Sequence, residues 1–270
     1  PDFLIQNNLS LSGFGTVFKQ DKKGFIPSIL EDWFISRKKY KKEYESYKKE
    51  AELLKSTGVA SSDPKIKQLI QKAEYCNRVQ YIKKIQLNSM YGALGNKFFK
   101  FYDVRLAEST TRTGQEILMH MVKKVAELLD GKYNYPSDSC IYSDTDSVYF
   151  KTHCNDLETA VKVGELIQAN VNKSFPQFMS DKCFCNDQFN KCISAELDLI
   201  AKRGIFVAKK LYVLKLIYSE GFKTDKLKIM GLQLKKTTIP KPISKKLSDF
   251  IDNLLDGTPW GEIGDSIVIY

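Results

Sequence analysis

Two aspartates stand one residue apart in Cys140-Ile141-Tyr142-Ser143-Asp144-Thr145-Asp146-Ser147-Val148-Tyr149-Phe150. Apolar strand formers flank them on both sides, so the stretch is expected to form a tight β-hairpin with the acids at its tip. Side chains two apart on an extended backbone point the same way, which would turn Asp144 and Asp146 toward one site and Thr145 toward another. Two carboxylates held side by side repel unless a cation joins them. Hard oxygen ligands with room for water and phosphate suit magnesium better than zinc, and the chemistry of such a half-site is phosphoryl transfer. The competing reading is an Asp-rich turn with purely local hydrogen bonds.

A second constellation is Lys84, Asn88 and Tyr91, which share one face of an expected helix while Ile82, Ile85 and Ser89 fall on another. Lysine offers phosphate a point charge, asparagine neutral donors and tyrosine a flat wall. The bland alternative is a boundary stripe whose Lys and Tyr reach for water.

These residues need elements to hold them. Thr16-Val17-Phe18 is expected to pair with Phe25-Ile26 across Asp21-Lys22-Lys23-Gly24, before a helix opens near Pro27 with Ser28 as N-cap and Glu31 closing a capping box. That helix, to about Leu54, is heavily basic and includes Arg37 and Lys41 one turn apart. Ser56 to Pro64 breaks it, and a second helix from Ile66 to about Tyr91 folds back antiparallel. Arg105 to Leu129 reads as an amphipathic helix with Ile117, Met121, Val125 and Leu128 inward, ended by Asp130-Gly131 and packed on the sheet that carries the acids. Leu157 to Val171 is helical. Ile193 to Ile200 alternates as a strand with Glu196 and Asp198 on its polar face, Arg203-Gly204 turns the chain, and Ile205 to Tyr218 returns with Lys210 and Tyr212 on one face and Lys209 on the other.

At 270 residues and 43% hydrophobic content the chain can bury a substantial core, and a formal charge of +10 points to a polyanionic partner. No apolar stretch approaches the roughly 20 residues a membrane span needs, and no secretory pattern opens the chain, so a cytoplasmic setting is expected. Six scattered cysteines suit reduced thiols. Cys183, Cys185 and Cys192, with His153-Cys154 upstream, lack the paired knuckle of a zinc site.

Tyr142-Ser143-Asp144-Thr145-Asp146-Ser147 resembles motif C of family B DNA polymerases, usually Tyr-Gly-Asp-Thr-Asp-Ser, with Ser143 in the glycine position. Lys84-Ile85-Gln86-Leu87-Asn88-Ser89-Met90-Tyr91-Gly92 resembles motif B, Lys-x-x-x-Asn-Ser-x-Tyr-Gly, on the fingers helix. Lys209-Lys210-Leu211-Tyr212 resembles the Lys-Lys-x-Tyr segment, and Lys228 to Leu232 with Thr238 to Lys241 resembles the entry to the thumb. The motifs occur in the family's order from Gly13 to about Pro242, and look closest to the replicative polymerases of T-even-like phages.

The resemblance implies an α+β fold: a palm-associated hairpin at 1–27, a two-helix fingers hairpin at 28–95, a palm sheet with motif C and the Lys-Lys-x-Tyr segment at 96–222, and the start of a thumb at 223–270. It implies DNA-directed DNA synthesis in replication. Asp144 and Asp146 would be catalytic and, with Glu196, would hold two magnesium ions in the complete site; Arg37, Lys41, Lys84, Asn88 and Tyr91 would bind a deoxynucleoside triphosphate. Lys209, Lys210, Tyr212 and Lys228 would bind primer-template DNA. Motif A, Asp-x-x-Ser-Leu-Tyr-Pro-Ser, occurs nowhere in the sequence. The resemblance therefore implies a fragment or split subunit lacking motif A and the exonuclease domain, completed by an upstream segment or another polypeptide, with a sliding clamp a further expected partner and no membrane. The alternative is a non-catalytic nucleic-acid-binding accessory subunit derived from a polymerase. Intact paired acids count against it, because carboxylates beside DNA phosphates cost affinity. Asp-Thr-Asp and the motif B helix likewise disfavour a reverse transcriptase, which carries adjacent aspartates at that turn.

Overall fold

The computed structural model describes residues 1–129, 139–152, 154–232 and 238–259. Its chain divides into two compact units, Pro1–Thr113 with Lys182–Asn186, and Gly114–Asp181 with Asp187–Tyr270.

In the first unit, helix α1 (Asp2–Gln6) leads into strands β1 (Leu9–Leu11) and β2 (Val17–Lys19), which pair antiparallel with Ser10 opposite Phe18. Val17-Phe18 thus pairs backward, not with Phe25-Ile26. The physical reason lies in helix α2 (Phe25–Ser56), which begins at Phe25 with Gly24 as its N-cap. Pro27 is the third helical residue, where its missing N–H would have had no intrahelical partner anyway, so the helix need not wait for Ser28. Ser28 lies inside the first turn and its Oγ donates to the Gly24 carbonyl at 2.9 Å, while Glu31 pairs with Lys23 and closes no capping box.

Asp63 caps helix α3 (Pro64–Leu94) by accepting from the Lys65 amide at 2.7 Å, with Pro64 at the helix start. Ile66, Leu69, Ala73 and Cys76 recur at helical spacing and are buried. Their stripe faces α2 in an antiparallel hairpin, as the cross-pairs demonstrate: Lys65 with Glu50 at 3.8 Å, Lys72 over the Tyr47 ring, and Lys83 over Trp33. Buried Gln20 ties Lys182–Asn186 to this unit, its Nε2 donating to the Phe184 carbonyl and its Oε1 accepting from the Asn186 amide.

Helix α4 (Val104–Leu129) begins near its expected residue, and its expected end at Asp130-Gly131 lies outside the described residues. In the second unit its Val125 and Leu129 form one core with Ile167, Val171 and Phe175 of helix α5 (Leu157–Cys183), against which Val148 and Phe150 of the acid hairpin pack. Helix α5 runs well past Val171 and contains Pro176. Ile167, Val171, Phe175 and Met179, four residues apart and all buried, supply the apolar contact that offsets an interior proline costing about 3 kcal/mol.

Residues 193–198 form no ladder. They are extended, with burial alternating as a strand's would, but α5 side chains serve their backbone: Asn172 bonds the Ala195 amide and carbonyl, and Gln168 accepts from the Leu197 amide at 2.6 Å. Strand β5 (Leu199–Ala208) then runs straight through Arg203-Gly204. The reversal comes at Lys209-Lys210, where Lys210 takes a left-handed φ of 63°, and β6 (Leu211–Ser219) and β7 (Phe222–Met230) complete an antiparallel sheet ordered β5-β6-β7. Gly204 therefore serves close packing, since a Cβ there would meet Leu214 Cδ2 at 2.5 Å.

Strand β6 is buried on both faces. Tyr212, Leu214 and Leu216 meet Tyr142 and Tyr149 of the acid hairpin, while Val213 meets Leu255 of helix α6 (Lys241–Asp256). Lys215 lies on that second face with 8% of its side chain exposed and is held by Asp252 at 2.7 Å, Asp225 at 3.0 Å and Asp256 at 3.3 Å. Among the described residues no helix is long and apolar enough to cross a membrane. None of the six cysteines is joined in a disulfide, and His153 of the rejected zinc grouping lies outside the described residues.

Candidate active site

The acids sit at the reversal between β3 (Cys140–Asp144) and β4 (Ser147–Phe150), with Asp144 opposite Ser147. The Asp146 amide donates to the Asp144 carbonyl at 2.6 Å across Thr145, whose φ is 54°. That is a γ-turn, an unusual conformation for a β-branched residue and a strained one. Strand alternation consequently stops at Asp144: this half-buried acid ends the strand, whereas Asp146 belongs to the turn and is exposed. Ser143 is an ordinary strand residue opposite Val148, so glycine's conformational freedom is not required there. Thr145 Oγ1 donates to Asp144 Oδ1 at 3.1 Å, and Ser147 Oγ donates to the Asp144 carbonyl at 3.2 Å.

The Lys209-Lys210 turn comes to the same place. Lys210 Nζ lies 3.6 Å from Asp144 Oδ2, and the Lys210 amide donates to Tyr142 Oη at 2.8 Å. Since both lysines form the loop of the β5–β6 hairpin, the expected alternation of Lys209 against Lys210 and Tyr212 does not apply. Tyr212 is 6% exposed, and its hydroxyl lies 3.1 Å from Tyr149 Oη. Burial, then the hydrogen bond with Tyr149, push the Tyr212 hydroxyl's pKa up to about 12, so it remains a neutral group. Lys228 Nζ donates to Tyr149 Oη at 3.4 Å and stands 5.9 Å from that ring's centroid. Tyr142, Tyr149, Phe206 and Tyr212 thus make an aromatic floor under the acids, with ring centroids 5.4–5.8 Å apart. No local pattern assigns Tyr142 and Tyr149 a role; the signal in the sequence is an aromatic at each strand of a two-stranded motif.

Glu196 and Asp198 share the exposed side of the extended segment before β5. Among the described residues, no three His, Cys, Asp or Glu side chains group closely enough to hold a metal ion, so Glu196 does not join Asp144 and Asp146 in a three-acid cluster.

In the first unit, Lys84, Asn88 and Tyr91 are all exposed on one face of α3, and Tyr91 Oη lies 2.8 Å from Thr111 Oγ1. Ile82 and Ile85, on the other side, are about half exposed as well. Arg37 and Lys41 are half buried on α2, and the Arg37 Nε is buried without a hydrogen-bond partner among the described residues.

A family model described as DNA polymerase family B matches residues 5–262. The chain belongs to DNA polymerase family B. This family B chain is similar to the DNA-directed DNA polymerase of Escherichia phage RB69, at 26% identity over 308 aligned positions covering 91% of the chain and 33% of that protein. It is similar to the DNA-directed DNA polymerase of Enterobacteria phage T4 at 25% identity, with the same coverage, and to the DNA polymerase delta catalytic subunit of Candida albicans at 28%, covering 86% of the chain and 18% of the relative. The chain thus spans about a third of the length of its phage relatives. In this family B chain half-buried Asp144, its Oδ2 turned toward an ammonium, and exposed Asp146 place hard carboxylate oxygens at one turn. That donor set fits a magnesium ion, which binds through one or two carboxylates and keeps waters or phosphates in its remaining positions.

Proposed function

We propose that this family B chain contributes the acid hairpin and the nucleotide-binding helix of a DNA-directed DNA polymerase. The observation that carries this reading is the convergence of Asp144 and Lys210, 66 residues apart in sequence and on different hairpins, to 3.6 Å at one exposed turn. An acid and a base gathered beside an open edge can serve a cation and a DNA strand together.

The reaction is nucleotidyl transfer. The primer 3′-oxygen forms a bond to the α-phosphorus of a deoxynucleoside triphosphate, the bond from that phosphorus to the bridging oxygen breaks, pyrophosphate leaves and the hydroxyl proton passes to solvent. Asp144 and Asp146 would hold magnesium, which when bound neutralises charge developing on the phosphate oxygens. Lys210 neutralises Asp144 in the meantime and is free to turn to the primer strand, with Lys209 exposed beside it. Lys228, steadied by Tyr149, adds a cation on the neighbouring strand, while buried Tyr212 acts by supporting the hairpin. Lys84 and Asn88 meet the triphosphate from α3 and Tyr91 walls the base pair. Arg37 and Lys41 supply further charge from α2, a buried guanidinium nitrogen without a partner being suited to an incoming phosphate. Helices α2 and α3 then correspond to fingers, the acid hairpin and three-stranded sheet to palm, and α6 to the start of a thumb. The third magnesium-binding acid would come from a motif A strand in another segment or polypeptide.

The test is primer extension by an extension-competent protein carrying these residues. Asp144→Ala and Asp146→Ala are each expected to abolish extension while primer-template binding persists, since removing a carboxylate relieves repulsion of the DNA backbone. Near-normal extension by either variant would overturn the assignment.

A further inference from the structure

We propose that the groove between α2 and α3 around Lys72 is a binding site for a nucleoside monophosphate, with adenine the preferred base. Gln68, Gln71, Lys72 and Tyr75 recur three and four residues apart, so they line one flank of α3. With Tyr47 of α2 and Cys76 they surround about 440 Å³, within the size range of small-molecule sites. Tyr75 stands nine residues before Lys84, two and a half turns at about 3.6 residues each. The groove therefore opens on the far side of α3 from the face assigned to the triphosphate, and the polymerase reading makes no use of it.

Each lining residue matches one part of such a ligand. Tyr75 is 55% exposed, and Tyr40 meets its ring edge-on, with centroids 6.4 Å apart and planes at 78°. That contact steadies the ring while leaving it open for a base to stack. Lys72 Nζ stands 5.7 Å from the Tyr47 centroid, which holds a single ammonium at the groove, the complement of a single phosphate group. Gln68 and Gln71 carry carboxamides, each a donor and an acceptor, and that combination suits N6 and N7 of adenine. Cys76, 3% exposed, closes the floor, its thiol donating to Glu43 Oε2 behind it at 3.6 Å. Among the described residues no carboxylate lines the groove. Phosphate therefore meets no repulsion there, and no acid selects a ribose diol, so ribonucleotide and deoxyribonucleotide should bind alike. A DNA strand would bring one phosphate per base to one ammonium, and an apolar peptide would leave Lys72 and both carboxamides without partners.

Equilibrium dialysis of radiolabelled adenosine 5′-monophosphate against the full-length protein tests this, with adenosine, uridine 5′-monophosphate, an oligo(dA) strand and phosphotyrosine as competitors. Tyr75→Ala is expected to weaken adenosine monophosphate binding roughly tenfold to a hundredfold, the worth of one base stacked on one ring, while Tyr75→Phe keeps it. Lys72→Ala should bring adenosine monophosphate down to the affinity of adenosine and leave adenosine itself unchanged. Gln68→Leu/Gln71→Leu should erase the preference for the adenine over the uracil nucleotide. Equal binding by wild type and Tyr75→Ala would overturn the site. So would loss of binding in Lys84→Ala, which would move the nucleotide to the opposite face of α3. Displacement by phosphotyrosine or by oligo(dA) at lower concentration than by unlabelled adenosine monophosphate would overturn the mononucleotide in favour of a phosphopeptide or a strand. Primer extension by Tyr75→Ala should match wild type, so failure of this site would leave the polymerase reading intact, and failure of that reading would leave this site standing.

Discussion

Lys84 owes its proposed role to exposure: it is exposed on α3, and Asn88 lies one turn along the same face. Lys84→Ala should therefore weaken use of nucleotide, by about 1.5–3 kcal/mol or roughly ten- to a hundredfold in kcat/KM, with little change in primer-template affinity. Steady-state extension over a range of nucleotide concentrations checks this; a loss confined to DNA affinity would turn the helix face toward duplex instead. Tyr142 acts at one remove, fixing the Lys210 backbone that aims an ammonium at Asp144. Tyr142→Phe keeps the ring and deletes one hydrogen bond, about 1 kcal/mol, so extension should fall about fivefold. In a Lys210→Ala background the same change should cost extension almost nothing more, a non-additivity that a packing defect would not produce. The acids and the Lys84 face were legible because each is a local pattern of residue type at fixed spacing. Tyr142 was not, because its acceptor role depends on a loop amide 68 residues away.

At the scale of elements, the sequence predicted long helices well and reversals poorly. Arg203-Gly204 looks like a turn and Lys209-Lys210 does not, yet the chain reverses at the lysines, a choice set by cross-strand packing of Phe206 on Tyr212. Helix α5 extends beyond its expected end at Val171, and nothing local announces that a buried stripe continues through Pro176. The Lys215 clamp was invisible for a different reason: its partners lie 10, 37 and 41 residues further along the chain. Lys215→Met, which leaves three carboxylates facing one another, should lower stability by about 3 kcal/mol in urea melts of the protein. Its carboxylate partners raise the Lys215 pKa, so the clamp's contribution is fully present below the lysine's ordinary value of about 10.4 and is lost only as pH climbs through the raised folded value. Between α4 and α5, His120 stacks on Phe178 at 4.2 Å and its Nε2 lies 2.8 Å from Ser174 Oγ. Burial, reinforced by Lys124, lowers its pKa, so the unfolded chain takes up the proton first. Stability should consequently fall as pH drops below about 6.5, and His120→Gln should flatten that part of a melting-temperature profile.

Across the whole molecule, charge and thiols give the broadest expectations. A chain with formal charge +10 and no disulfide should melt at the same temperature with or without reductant. Alkylation of the native protein should label exposed Cys192 first and spare buried Cys76 and Cys183, a sequence that peptide mass mapping reads directly. Desolvation raises the Cys76 thiol's pKa, with Glu43 adding to it, which slows its reaction further. The α+β class and the family were legible from composition and motif order. The division into two units was not, because it falls inside α4 and returns Lys182–Asn186 to the first unit through buried Gln20, a contact that no periodicity encodes.

Strand β6 is covered by the acid hairpin on one side and by α6 on the other, and it is paired along both edges. In deuterium oxide its amides can exchange only when a neighbour departs, so the mass of a single peptide spanning Leu211–Ser219 becomes a clock for the whole second unit. Loosening the hairpin through Tyr149→Ala and loosening α6 through Asp252→Ala should both speed that one clock, from opposite faces of the same nine residues.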